Sequence, residues 1–270
     1  MKKLKIYISG SSGFLGSNFD RHLKKKFEIK HFFAQDKSSF DLDTNDFIDE
    51  CSFFIHLSEP SLKHIYDDQL CKKLKQNIEN LSKVLKNKLI YFSSGSVYGD
   101  KSITPYDEDS KVFCNDPYSK LKLINEKTVL KNGGMVLRLS NVIGKGMHKK
   151  NVLGHIKKFI DNKNQDLTIL NTTSIRDYIH VNDVSKFIEL VILSGRTKNT
   201  IYNVGSGFGT SVHEIINTLN TKFDHKFEKI IETKKIDDLS CNILSIKKAN
   251  KDFNWMPDNV FKDIIDKIYT

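Results

Sequence analysis

Tyr118 and Lys122, four residues apart, share one face of any helix that contains them, with Cβ atoms about 5–6 Å apart. A nearby ammonium favours the phenolate, so such a pair lets a phenol exchange protons closer to neutrality than its ordinary value near 10. Upstream, Ser93-Ser94-Gly95-Ser96-Val97-Tyr98-Gly99 offers a hydroxyl at the end of an apolar stretch, fit to bind the oxygen that the phenol protonates. Further upstream, Gly10, Gly13 and Gly16, with Phe14 and Leu15 between the last two, make a glycine turn at the N-terminus. A Tyr-x-x-x-Lys match alone is also what a solvated face of a lysine-rich helix produces. The order of the three elements is what points to chemistry.

The elements that must carry these residues alternate. Leu4 to Ser9 reads as a buried strand, Phe14 to Lys25 as a helix, and Glu28 to Phe33 and Ser52 to Leu57 as strands. Leu70, Leu74, Ile78, Leu81 and Leu85 form a 3.6-residue stripe on a helix over Asp67–Lys86. Lys88 to Ser93 is a strand, Tyr118 to Leu130 a helix, and Met135 to Leu139 a strand. This rhythm predicts an α/β fold, a doubly wound parallel sheet with right-handed crossovers. Later elements are less regular: helices at Val152–Asp161, Asn182–Leu193, Ser211–Leu219 and Val260–Ile268, and strands at Leu167–Leu170 and Thr200–Val204. Four prolines and no Gly/Pro-rich linker mark no boundary, so a second domain is expected from insertions. Residues 1–144 and 176–204 then form a dinucleotide-binding domain, and 145–175 and 205–270 a smaller α+β substrate-binding domain.

Strand, glycine turn and helix together are the setting in which backbone approaches a pyrophosphate and the helix N-terminus receives its charge. Asp36 follows Gly16 by 20 residues, where an acid binds the adenosine ribose diol, and favours NAD(H). Lys37 beside it suits the 2′-phosphate of NADP(H), so both cofactors stay open.

With 270 residues and a net charge of +10, the chain can bury a sizeable core and carry a basic surface. The lysines are spread along the chain; only Lys24-Lys25-Lys26 forms a run, at a helix end where cations suit the dipole. That spread, without a nucleic-acid motif, argues against nucleic acid and suits a phosphorylated substrate. Cys51, Cys71, Cys114 and Cys241 are scattered, so neither a disulfide framework nor a metal site is expected. No apolar run approaches the roughly 20 residues that span a bilayer, and a cytoplasmic location is expected.

The ordered set of glycine loop, Ser-Ser-x-x-Val-Tyr-Gly and Tyr-x-x-x-Lys resembles the extended short-chain dehydrogenase/reductase family, of NAD-dependent epimerase/dehydratase type. His56-Leu57-Ser58, Asn77, Arg138-Leu-Ser-Asn141-Val142-Ile-Gly144, Arg176-Asp177-Tyr178-Ile179-His180, Tyr202-Asn203-Val204-Gly205 and Phe253-Asn-Trp255-Met-Pro257 extend the likeness over nearly the whole length. The resemblance implies a Rossmann fold and enzymes that reduce, epimerise or dehydrate nucleotide-diphosphate sugars. It makes Tyr118 the acid/base, Lys122 the nicotinamide-ribose ligand and Ser94 the oxygen donor. Leu57, Ser58 and Asn77 join the cofactor site, and Ser94, Ser96, Asn141 and Arg176 the substrate site. Arg138 and Tyr178 are read as structural and His180 as a packed strand histidine. A homodimer through the 67–86 and 118–131 helices is implied as well.

Departures within the family sort the reaction. Dehydratases carry an Asp-Glu pair directly after the Ser/Thr, and fucose-synthase types a cysteine at the site of Ser96; this chain has Gly95 and Ser96. Simple reduction of a 4-keto group, or 4-epimerisation, remains. Ala34-Gln-Asp36-Lys37, the following Phe40-Asp41-Leu42-Asp43 and the short chain resemble dTDP-4-dehydrorhamnose reductases. The expected activity is therefore reduction of a nucleotide-diphosphate 6-deoxy-4-keto sugar in activated-sugar synthesis for surface polysaccharide. A 4-epimerase with tightly bound NAD is the alternative, and a non-catalytic dinucleotide sensor a further one.

Overall fold

In the computed structural model of the chain, six strands between Lys5 and Val204 pair into one parallel sheet. The described residues are 3–32, 50–148, 151–162, 166–195, 199–222, 227, 229–233, 239–258, 261 and 265. The sheet contains β1 (Lys5–Ser9), β2 (Glu28–Phe32), β3 (Phe53–His56), β4 (Leu89–Ser94), β5 (Met135–Leu139) and β9 (Thr200–Val204). Its order is β2-β1-β3-β4-β5-β9. β3 and β5 are buried at every position, as expected of strands covered on both faces.

The covering helices follow from their patterns. α1 (Phe14–Leu23) buries Phe19 and Leu23 in a core shared with Val184, Phe187 and Ile188 of α5 (Val181–Ser194). It stops at Leu23, so the expected last turn through Lys25 lies beyond it, with Lys24 as C-cap. On the other face, α2 (Asp68–Leu85) turns Leu74, Ile78, Leu81 and Leu85 inward, and the Asp67 carboxylate caps it by accepting from Leu70 N–H at 2.7 Å. Beside it, α3 (Pro117–Lys131) begins with a capping box between Asp116 and Ser119 and with Pro117 in its first turn.

A smaller layer is built around β8 (Ile175–His180), which pairs in parallel with β6 (Asn141–Ile143) and β12 (Cys241–Asn242) and antiparallel with β10 (Gly209–Ser211). β7 (Asp166–Ile169) pairs with β11 (Lys229–Glu232). Ile143, Leu153, Ile156, Leu167, Ile215 and Leu219 form a separate core with α4 (Val152–Asp161) and α6 (Val212–Lys222). β8 finds its partners in the smaller sheet, and the chain rejoins the core of the main sheet at Val181. The C-terminal part is shared: α7 (Lys247–Phe253) brings Ala249, and Trp255 follows it, into the main core. The expected closing helix lies outside the described residues except Phe261 and Ile265, which pack in the smaller core.

Asp177 joins the two layers. Its buried carboxylate accepts from Ser206 N–H and Oγ–H at 2.7 Å and from Gly207 and Leu244 N–H at 3.2 Å. Burial pushes this carboxyl upward despite those donors. A side chain at Gly205 would meet Asp177 Oδ2 at 2.4 Å, so the chain after β9 is held by glycine and this one carboxylate. Among the described residues no helix is long and apolar enough to cross a membrane.

Candidate active site

The strand order reverses at β1, which pairs with β2 on one side and β3 on the other. A crevice therefore opens at the carboxyl ends of β1 and β3, the usual place for a ligand on such a sheet. Gly10 follows β1 with φ +72°, and an added Cβ would meet the Leu57 carbonyl at 2.8 Å. A Cβ on Gly16 would lie 2.2 Å from Gly10 O. Gly13 N–H closes the turn on Gly10 O at 3.0 Å. Gly13 is also the N-cap of α1 and brings no capping side chain, which leaves first-turn N–H groups for a ligand. Turn, bare helix N-terminus and crevice fit a dinucleotide pyrophosphate.

A cavity of about 770 Å³ extends from this turn across the strand ends. Its lining includes Gly10, Gly13, Phe14, Leu15, Gly16 and Leu57 from the glycine turn and the end of β3, Ser94, Tyr118 and Lys122, and Asn141 and Arg176. Residues up to 166 positions apart in sequence are so brought onto one cavity.

The two serines at the end of β4 are treated differently. Ser93 Oγ is buried and donates to Glu126 Oε1 at 2.5 Å, inside a network in which Arg138 Nη2 and Nε bond Glu126 at 2.7 and 3.0 Å. Ser94 begins a 3₁₀ turn (Gly95–Tyr98), where its Oγ accepts from Ser96 N–H at 3.2 Å and leaves its hydrogen for another acceptor. The structural reading of Arg138 agrees with this geometry.

Tyr118 sits in the first turn of α3, packed edge-on against Tyr66 with ring centroids 5.0 Å apart. Two ammonium groups flank its ring, Lys63 Nζ at 5.3 Å and Lys122 Nζ at 5.6 Å from the centroid. Lys122 is buried, and its Nζ donates to Glu59 Oε2 at 2.6 Å and to Phe92 O at 2.7 Å. Burial works against that ammonium, yet Glu59 and Tyr118 outweigh it and hold Lys122 above the ordinary lysine value.

Glu59 was not legible as a site residue. Its side chain is 5% exposed, lines the cavity, and accepts from Tyr91 Oη–H at 3.2 Å and Asn125 Nδ2–H at 3.4 Å. The one signal in the sequence is an acid followed by proline, Glu59-Pro60, directly beyond a strand that is otherwise apolar. His56, at the end of β3, bonds Ser9 Oγ through Nδ1 at 3.0 Å, and burial pushes it down to about 4.

Also on the cavity lining, Arg176 reaches Ser240 O and Oγ at 2.8 Å and Asp100 Oδ2 at 3.2 Å, and Asn141 Nδ2 donates to Asp177 O at 3.2 Å. His180 caps α5, its Nδ1 accepting from Asn182 N–H at 3.2 Å, and Tyr178 is buried. Ser58, Asn77 and Ser96 are not among the cavity-lining residues: Ser58 is exposed on the loop, Asn77 lies on α2, and Ser96 Oγ is buried without a hydrogen-bond partner among the described residues. Asp36, Lys37 and the Phe40–Asp43 segment lie outside the described residues.

Comparison with known proteins gives a consistent likeness. Residues 6–205 match the sequence profile described as "NAD dependent epimerase/dehydratase family". The chain is 27% identical to a protein described as "Putative UDP-glucose 4-epimerase" from Methanocaldococcus jannaschii, over 97% of this chain and 96% of that one. It is 28% identical to the dTDP-4-dehydro-6-deoxyglucose reductase of Escherichia coli, over 79% of this chain and 72% of that one. The solved structure of RMD from Pseudomonas aeruginosa complexed with NADPH superposes with a TM-score of 0.84 at 20% identity, covering 98% of this chain and 97% of the other. At that identity the likeness is one of fold.

Proposed function

We propose, from the premise that this chain belongs to the NAD dependent epimerase/dehydratase family, that it is an NAD(P)H-dependent reductase of the 4-keto group of a nucleotide-diphosphate 6-deoxy sugar. The observation that carries this reading is the single cavity shared by the glycine turn, Ser94, Tyr118, Lys122 and Arg176. The two positions after Ser94 supply neither the acid pair that water elimination needs nor a thiol, and neither lines that cavity.

Gly10, Gly13 and Gly16 would hold a reduced nicotinamide dinucleotide, whose chemistry when bound would be hydride donation. The chain supplies orientation and one proton. Ser94 Oγ–H holds the keto oxygen, Tyr118 gives its phenolic proton to that oxygen as it becomes an alcohol, and Lys122 steadies the phenol and would hold the ribose of a bound dinucleotide. Arg176 grips the diphosphate with its guanidinium fork, which requires it to exchange its bond to Asp100 for the ligand. By the same reading the chain works as a homodimer through α2 and α3, and size-exclusion at a monomer mass refutes that part.

A 4-epimerase is the second reading, supported by the end-to-end likeness to the archaeal protein. One experiment separates the two. If the purified protein carries no dinucleotide and consumes NADPH or NADH stoichiometrically with a 4-keto-6-deoxy sugar nucleotide, it is a reductase. Protein that retains NAD and interconverts 4-epimers without net consumption is an epimerase.

A further inference from the structure

Glu59 is a buried acid that the proton transfer just described does not use. It reaches the cavity from the loop after β3 and meets Lys122 from α3 at 2.6 Å. The groups around this pair can be named element by element. From β3 comes His56, with Nε2 4.0 Å from Glu59, and burial keeps that ring neutral near pH 7. From β4 comes the Tyr91 hydroxyl, and from the segment before α2 come Tyr66 and Lys63, the latter with a side chain 52% exposed and so screened by water. From α3 come Tyr118, Asn125 and Glu126. Glu126 is already balanced by the two-pronged bond from Arg138. Lys63 is half-exposed and paired with Asp116 at 3.7 Å, which leaves Glu59 and Lys122 as the buried charge pair beside Tyr118.

We propose that Glu59 is a positioning residue of the proton-transfer site: it holds the Lys122 ammonium beside Tyr118 and offsets its charge, so that the phenol enters the reaction as a proton donor. An unopposed ammonium at this range favours the phenolate, which suits a first step that takes a proton from an alcohol. A balanced ammonium keeps the phenol, which suits a last step that gives a proton to a nascent alkoxide. The inference rests on the reductase reading for its purpose, and on the geometry of Glu59 and Lys122 for its effect.

Phenolate absorbance tests the effect without any substrate. Titrating the protein and its Tyr118→Phe counterpart and subtracting the two isolates the signal of Tyr118. Glu59→Gln keeps the shape of the side chain and removes its charge, and roughly tenfold more Tyr118 phenolate is expected at any pH well below both midpoints. An unchanged phenolate fraction overturns the proposal. A buried ammonium without its partner is costly and can unfold the single variant, so a second comparison stands beside it. Lys122→Met, which leaves Glu59 alone, lowers the phenolate roughly tenfold, and Glu59→Gln/Lys122→Met returns it to within about threefold of wild type. Equal phenolate in the Lys122→Met and double variants means that the Glu59 charge is not felt, and overturns the proposal. Wild-type protein that fails to reduce a 4-keto sugar nucleotide sinks the reductase reading, while the phenolate comparison still decides the role of Glu59.

Discussion

Ser93 and Ser94 are chemically identical neighbours with separate tasks, and the difference lies in what each hydroxyl touches. Both line the cavity, but the Ser93 hydroxyl donates to the buried Glu126 carboxylate, whereas that of Ser94 keeps its hydrogen for another acceptor. Ser94→Ala should cost roughly a hundredfold in kcat, as loss of one oxyanion donor does, with stability within about 0.5 kcal/mol of wild type. Ser93→Ala should instead lower the unfolding free energy by about 1–3 kcal/mol by taking a donor from a buried carboxylate. Steady-state kinetics and urea melts of the two variants check both, and a reversed pattern would move the catalytic hydroxyl to Ser93. Tyr118→Phe should remove turnover by at least about a hundredfold and leave dinucleotide affinity within about twofold, read by kinetics and fluorescence titration. These residues were legible because each belongs to a local pattern. Glu59 was not, because its meaning comes from Lys122, 63 residues later, and no spacing rule links a loop after one strand to a helix after the next.

Among the elements, the glycine turn carries the sharpest test. Gly16 has no room for a methyl group, since the Gly10 carbonyl oxygen would stand 2.2 Å from it, while at Gly13 the nearest atom would be 3.3 Å away. Gly16→Ala should therefore displace the turn, lose stability and weaken NADPH or NADH binding more than about tenfold. Gly13→Ala brings a milder clash, 3.3 Å from the Gly10 carbonyl oxygen, and should lose less stability than Gly16→Ala while still weakening dinucleotide binding. Thermal melts paired with fluorescence titration separate the two effects; full affinity in Gly16→Ala would remove the turn from the cofactor site. The long elements of the main sheet were readable, since runs such as Phe53-Phe54-Ile55 and the stripe on α2 bury whole faces. β6, β10 and β12 were not, because they span two or three residues and show no period. α7 was missed for a related reason: of its seven residues only Ala249 is buried.

At the scale of the whole molecule, one buried histidine couples the strand-order reversal to pH. His56 lies at the end of β3 with its Nδ1 on Ser9 Oγ of β1, and it lines the cavity together with its neighbour Leu57. Burial pushes it from its ordinary value of 6.5 down to about 4. Between those values the unfolded chain takes up a proton that the folded chain refuses. Stability from this group is therefore complete above pH 6.5 and is lost as the pH falls toward about 4. The full window is worth roughly 3 kcal/mol, and the part between pH 7 and pH 5 roughly 2 kcal/mol. Asp177 and Glu108, whose carboxyls burial pushes upward, act in the opposite sense: their contribution is present at low pH and fades as the pH rises through their folded values. Comparing wild type with His56→Gln by urea denaturation at pH 7 and pH 5 cancels those carboxyls and isolates the histidine. Wild type should lose roughly 2 kcal/mol more than the variant over that interval, whatever the variant's absolute stability. Parallel slopes would mean that the His56 ring is protonated in the folded protein at pH 5, and hence that the cavity wall at the end of β3 admits charge and water.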